Sequence, residues 1–307
     1  MNVPLREDRL DGVFQGLRGR LTVNEPLSRH TSWRVGGPAR RFYRPAGADD
    51  LCELLRRLPE DEPRWWLGLG SNLLVRDGGL PGTVIATAGA LNGIERVDEE
   101  RVRAEAGVAS AKVARFCARA GLGGAEFLAG IPGTLGGALA MNAGAFGGET
   151  WPLVVAVETI DRRGRVRLRR PEDFRIGYRE VHGPEGEWFL AAHLRLTPGV
   201  SPEKALGRIK ELLARRGASQ PTQQPSCGSV FRNPPGDHAG RLIEAAGLKG
   251  YCIGGACVSQ RHANFIVNTG AARAADIEAL IRHIQTEVHR HHGVTLIPEV
   301  HIIGEPA

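Results

Sequence analysis

The chain has 307 residues, of which 42% are hydrophobic and 24% charged. That is ordinary for a globular protein, excludes wholesale disorder, and leaves room for two or three domains of ~100–200 residues. Forty lysines and arginines against 34 acids give a net charge of +6, but the bases are interleaved with acids. The single dense basic stretch, Arg162–Arg170, falls short of the several stripes that nucleic-acid binding asks for.

Residues 1–20 are polar and read as a peripheral arm. A first α/β unit follows over residues 21–87. Within it DDLCELLRRL (49–58) puts Leu51, Leu54, Leu55 and Leu58 on one helical stripe, with acids leading and arginines trailing as the helix dipole favours. Strands are expected at Arg64–Leu69 and Thr83–Thr87. A second unit, 88–199, has a strand at Arg101–Ala106, a helix at Ser110–Ala120 with Ser110 as its cap, and strands at Leu153–Asp161, Arg165–Arg169 and Trp188–Leu196. TPGVSP marks the boundary to a third unit, 200–307. There Ser201 caps a helix with Pro202 at its first position, and Leu206, Ile209, Leu212 and Leu213 form its buried face. A second long helix is expected over 274–291, with strands at Phe265–Asn268 and Leu296–Ile303.

Five cysteines, at 52, 117, 227, 252 and 257, form no CxxC pair and are expected to be reduced, mostly buried thiols. The N-terminal segment lacks the apolar core of a signal peptide, and no apolar run approaches the ~20 residues of a membrane span. The expectation is a soluble cytoplasmic protein. HRHHG (289–293) ends an amphipathic helix, where histidines suit the dipole; no acid cluster accompanies it, and no metal site is expected.

Glycine is the compositional outlier, 41 residues or nearly twice the usual ~7%. It is concentrated locally. GLGSNLL (68–74) follows the strand RWWL; glycines there let backbone N–H groups converge on an anion, and Ser71 and Asn72 add donors. GIPGTLGGALAMNAGAFGGE (130–149) is too glycine-rich for an ordinary helix or strand, so its backbone is expected to pass close to a flat or bulky group. HTSWRVGGPA (30–39) adds Thr31 and Ser32, then a cation, then two glycines.

These three pieces, with the Tyr178–Arg179 pair, PSCGSVFRNP (225–234) and PEVHIIG (298–304), resemble in order and spacing the UDP-N-acetylenolpyruvoylglucosamine reductase family, flavoenzymes of peptidoglycan precursor synthesis. The matches run from about residue 20 to 304. The resemblance implies an α+β fold of the vanillyl-alcohol-oxidase (PCMH) type, with two α/β subdomains holding non-covalent FAD and a C-terminal α/β domain, its last strand returning to the active site, that binds substrate. The flavin would contact Thr31 and Ser32; Gly68, Gly70, Ser71, Asn72 and Leu73; Gly130, Ile131, Pro132, Gly133 and Thr134; and Gly136, Gly137, Ala138, Asn142, Gly144 and Ala145. The family reduces an enolpyruvyl ether to a lactyl ether: NADPH reduces FAD, and hydride then passes to the vinyl carbon. Ser229 matches the family's proton donor, Arg179 the cation that steadies the developing charge, and Glu299 the third catalytic member. Asn233 matches a substrate contact, with Tyr178, Arg232, Lys249, Arg261 and His262 as further substrate candidates. A monomer is expected.

The chain departs from the family's pattern in three places. TPGVSPEKAL (197–206) has no tyrosine, so the chain resembles the shorter type without a tyrosine loop. Val181 stands where serine is common, and His301 where arginine is common. The alternatives are another FAD oxidase or dehydrogenase of the same fold, and a non-catalytic basic nucleic-acid-binding protein.

Overall fold

A computed structural model describes residues 12–307, so most of the polar arm, residues 1–11, lies outside the described residues. Val13, Phe14 and Leu17, at its end, pack onto the first core. That core belongs to strands β1 (Arg20–Pro26) and β2 (Pro38–Arg44), helix α1 (Ala48–Arg57), and strands β3 (Arg64–Leu67), β4 (Leu73–Val75) and β5 (Leu80–Ala86). The sheet order is β1-β2-β5-β3; β1 is antiparallel to β2, while β2 and β3 run parallel to β5. Alternation along β2 sends Tyr43 toward Leu51, Leu54 and Leu55 of α1, and Phe42 toward Leu27, Leu67 and Val84 on the other face. The parallel crossover delivers the chain from β3 into the GLGSNLL loop at the sheet's C-terminal edge, where α/β sheets present ligand sites.

The second unit comprises β6 (Ile94–Arg96), β7 (Arg101–Glu105), α2 (Ser110–Arg119), α3 (Leu135–Ala140), β8 (Val154–Asp161), β9 (Val166–Arg169), a hairpin of β10 (Arg175–Gly177) and β11 (Glu180–His182), β12 (Glu187–Arg195), and α4 (Pro202–Ser219). Five of these strands form an antiparallel sheet in the order β9-β8-β12-β7-β6. Its core joins Val102, Ala104, Val157 and Leu194 to Val113 and Cys117 of α2, Leu135 and Leu139 of α3, and Ala205 and Ile209 of α4. Helix α4, which opens the stretch after residue 200, therefore packs on the second core. Ser201 caps it as expected, accepting from the Lys204 amide at 3.4 Å. Ser110 does not cap α2. Ala109 holds the cap position, and Ser110 lies inside the first turn with its hydroxyl buried and unpartnered among the described residues.

The third unit consists of α5 (Ala239–Ala245), β13 (Cys252–Ile253), β14 (Ala256–Val258), β15 (Ile266–Asn268), α6 (Ala274–His292) and β16 (His301–Ile303). Ile277, Leu280, Ile281, Ile284 and Val288 of α6 pack with Leu242 and Ile243 of α5, and Trp33, Val35 and Leu74 of the first unit enter the same core. The strand expected over 296–303 is confined to its last three residues. Pro298, which has no N–H for a ladder, makes only an isolated bridge with Phe231. Strand β16 then pairs in parallel with β4.

The expectation of reduced cysteines holds at Cys52, Cys117 and Cys227, which are buried free thiols. It is corrected at Cys252 and Cys257, which form a disulfide. The tight hairpin between β13 and β14 sets the two directly opposite each other, a cross-strand proximity that a search for CxxC spacing does not register.

Candidate active site

A cleft of about 490 Å³ lies where the three units meet, walled by both glycine-rich segments, the Tyr178–Arg179 turn, Cys227, Gly228, Ser229, Phe231, Asn233, Glu299 and His301. Its glycine walls are tied together. Ser71 Oγ donates to the Pro132 carbonyl at 2.8 Å, the Ser32 amide donates to the Gly70 carbonyl at 3.1 Å, and Cys227 Sγ donates to the Leu73 carbonyl at 3.4 Å. Burial pushes the Cys227 thiol up to about 12, so it stays a protonated donor. Gly70 has φ +59° and a β-carbon there would collide with the His30 carbonyl; Gly133 has φ +128° and its β-carbon would stand 2.7 Å from Ser71 Oγ. Both positions need glycine for conformation and for space.

Arg179 sits in the two-residue turn between β10 and β11 at φ +57°, a left-handed conformation costing a side-chain-bearing residue ~1–2 kcal/mol. Its guanidinium holds the turn in place: Nη2 donates to the Gly144 carbonyl at 2.9 Å, Nη1 to the Asn142 carbonyl at 3.3 Å, and Nε lies 3.4 Å from Glu299 Oε1. Asn142 (φ +43°) and Phe146 (φ +53°), on the facing segment, are also left-handed; strain of this kind gathers at functional sites. Glu299 arrives from the C-terminal segment. Its amide donates to the Val230 carbonyl at 2.7 Å and its carbonyl accepts from Asn72 Nδ2 at 3.0 Å, which sets it beside the segment carrying Ser229. Burial raises its carboxyl above the usual range, with the charges of Arg179 and Arg232 pulling the other way. A cation, a carboxyl group and a half-buried hydroxyl thus converge on a glycine-walled cleft.

Comparison with known proteins gives that convergence a context. Residues 220–303 match the family described as UDP-N-acetylenolpyruvoylglucosamine reductase, C-terminal domain, and residues 39–168 match the FAD binding domain family. The UDP-N-acetylenolpyruvoylglucosamine reductase of Alkalilimnicola ehrlichii is 66% identical over 94% of this chain and 96% of its own. That of Nitrosococcus oceani is 63% identical over 95% and 97%. The chain belongs to the UDP-N-acetylenolpyruvoylglucosamine reductase family. The crystal structure of the Thermus caldophilus reductase, 37% identical, superposes with a TM-score of 0.79 over 93% of this chain and 98% of that one.

Membership of the reductase family makes FAD the group to test against the cleft, and the residues fit it. The amides of Gly70, Ser71 and Asn72 donate to no acceptor among the described residues, leaving a nest of donors suited to a pyrophosphate. The backbone of Gly130–Gly133 and of Ala143–Ala145 lines the same cavity. A second cavity of about 310 Å³ shares Gly68, Thr134 and Gly137 with the first and runs on past Gly136, which gives an elongated dinucleotide room. Thr134 caps α3, accepting from the Gly137 amide at 3.4 Å, and Ile131 and Ala138 line the main cleft. Thr31, Ser32 and Asn142 stand behind the walls. Thr31 Oγ1 donates to the Val35 carbonyl, and buried Asn142 donates to Glu149 and the Gly177 carbonyl and accepts from the Trp151 amide.

Of the substrate candidates, Asn233 and Tyr178 line the cleft. Asn233 Oδ1 accepts from the Ala239 amide at 3.1 Å, which leaves its NH₂ without an acceptor among the described residues, and the Tyr178 ring lies 5.0 Å from the Arg179 guanidinium. The cleft lining does not include Arg232, Lys249, Arg261 or His262. Arg232 pairs with Glu180 at 3.5 Å, Lys249 with Glu244 at 2.7 Å, and Arg261 Nη1 donates to the Gly217 carbonyl; burial, then the Lys249 charge, lowers the His262 imidazole. Val181 packs against the second core. His301 lines the cleft, where desolvation, then the Arg232 charge, holds its imidazole below the usual histidine range. Sequence reasoning missed Arg216, Gln220, Phe146 and Cys227 as cleft residues. For Arg216 a signal existed: it falls seven residues after Ile209 and four after Leu212, in register with the buried stripe of α4.

Proposed function

We propose that the protein is a cytoplasmic, monomeric, NADPH-dependent reductase that adds a hydride and a proton across the enolpyruvyl double bond of UDP-N-acetylenolpyruvoylglucosamine, giving UDP-N-acetylmuramate for peptidoglycan synthesis. The observation that carries this reading is the meeting of Arg179, Glu299 and the Ser229 segment in one glycine-walled cleft. FAD, held along the glycine walls around Gly68–Leu73 and Gly130–Ala145, would supply the two-electron redox chemistry that links NADPH to the enolpyruvyl double bond.

The chain's own residues handle the charge and the proton. Hydride arriving at the terminal carbon pushes electron density onto the carbon beside the carboxylate, giving enolate character. Arg179, preorganised by two backbone carbonyls and Glu299 before substrate arrives, offers its guanidinium to that charge without reorganising. The Ser229 hydroxyl, on a loop fixed by Cys227 and Val230, gives its proton to the α-carbon, since an enolate is a strong enough base to take it. Glu299 keeps the guanidinium oriented, and its burial strengthens the electrostatics of the pair. The nucleic-acid reading loses its main support: Arg165 and Arg169 of the basic stretch pair with Asp161 and Glu187, and Arg167 lies within 4 Å of both acids. Among the described residues no helix is long and apolar enough to cross a membrane.

Incubating the flavin-loaded protein with NADPH and the enolpyruvyl substrate tests this. The reading expects consumption of NADPH in step with a product two hydrogen atoms heavier than the substrate. NADPH oxidation at the same rate with and without substrate, and no such product, would overturn it.

A further inference from the structure

The cleft contains two arginines, and their surroundings differ. Arg179 is matched by a carboxylate and two carbonyls. Arg216, at the end of α4, also lines the cavity, but its Nε donates only to Gln220 Oε1, at 2.9 Å. Among the described residues no carboxylate lies within ion-pair distance of it, and its two terminal nitrogens have no acceptor. Loss of solvent holds the guanidinium below the usual arginine range. A half-buried cation with an unused pair of donors is costly unless an anion completes it.

The fold also fixes where this cation stands. Arg261 Nη1 donates to the Gly217 and Gln220 carbonyls at 2.9 and 3.4 Å, and the Gln220 amide donates to the Arg216 carbonyl at 2.9 Å. The last turn of α4 is pinned from outside while Arg216 projects into the cleft. The chain then runs on to the Ser229 loop, and Arg216 and the proposed proton donor line the same cleft. The unpartnered amides of Gly70–Asn72 would offer the flavin's own pyrophosphate a separate nest.

We propose that Arg216, oriented by Gln220, is the anchor for the diphosphate of the nucleotide-sugar substrate. This rests on the reductase reading above and deepens it. A planar fork with two free N–H groups matches phosphate oxygens bidentately. Arg261, on this account, is a positioning residue that holds the helix end.

The test compares the binding of UDP and of uridine to flavin-loaded wild type, R216Q and R216K, by calorimetry, alongside flavin content after gel filtration. A lost charged contact predicts UDP affinity down ~10–100-fold in R216Q, uridine affinity unchanged, and flavin retained; R216K, keeping charge but not the fork, falls between. UDP affinity unchanged in R216Q would overturn the proposal. So would loss of flavin with UDP affinity intact in reloaded protein, which would assign the guanidinium to the flavin's diphosphate. Wild type that binds no UDP would remove the reductase reading itself, and this inference with it.

Discussion

At the residue scale the cleft sets charge against burial. Glu299 is the clearest case. Its carboxyl is raised in the folded state, so the fold binds that proton more tightly than the unfolded chain does. The resulting stabilisation is fully present below the ordinary glutamate range and is lost as pH rises through the raised value. Once ionised, the carboxylate therefore costs stability, which Arg179 partly offsets. An E299Q variant should gain in melting temperature relative to wild type as pH goes from about 4 to about 7; parallel melting curves across that range would refute the account. Gly70 makes a second residue-scale prediction: G70A, facing the His30 carbonyl at positive φ, should be purified with little or no flavin, as read from its visible absorbance. Both residues were named from the sequence, Gly70 by its place after a strand and Glu299 through the family resemblance of PEVHIIG. The direction of the Glu299 shift was not, because it depends on burial contributed by segments distant in the chain.

At the element scale, the turn between β10 and β11 and the 142–149 segment support each other. Asn142 fills a left-handed position and makes three side-chain hydrogen bonds, to Glu149, Gly177 and Trp151, while its carbonyl receives Arg179. N142A removes all three and leaves the buried Trp151 amide unsatisfied, so it should lower stability by ~1–3 kcal/mol in urea unfolding, and should slow substrate turnover through a displaced Arg179. A loss of unfolding free energy of only a few tenths of a kcal/mol would mean the segment is held otherwise. Helices α1, α4 and α6 were readable from apolar spacing because their cores are their own faces. The cap of α2 was not: Ser110 has the right chemistry, but the Gly133 carbonyl accepts from its amide at 3.0 Å, which draws it into the turn. Likewise Lys249 and Arg261 read as free cations in sequence, and only the fold reveals the acid and carbonyls that occupy them.

At the scale of the whole molecule, the devices that stitch the C-terminal unit to the first include β16 on β4, the Arg76–Glu278 pair at 2.9 Å, and Trp33. The indole of Trp33 is wholly buried; Nε1 donates to the Ile266 carbonyl at 2.7 Å, and Asn268 Nδ2 donates to the Trp33 carbonyl at 2.8 Å. W33A should cost ~3–5 kcal/mol and loosen the cleft, seen as weaker flavin retention in thermal and fluorescence assays; unchanged retention would argue that the units dock without it. The long-range pairings were beyond sequence patterning, which sees periodicity along the chain and not the closing of residue 301 on residue 73. What the residues did disclose was the pair of glycine walls and the three chemical groups that the fold brings to them. The central claim, that Ser229 delivers the proton completing hydride transfer in this cleft, is tested most directly by anaerobic stopped flow on wild type and S229A. The account predicts equal rates of flavin bleaching by NADPH in both, and recovery of oxidised flavin on adding UDP-N-acetylenolpyruvoylglucosamine that is slower by ~10²–10⁴-fold in S229A. Recovery at the wild-type rate in S229A would contradict it.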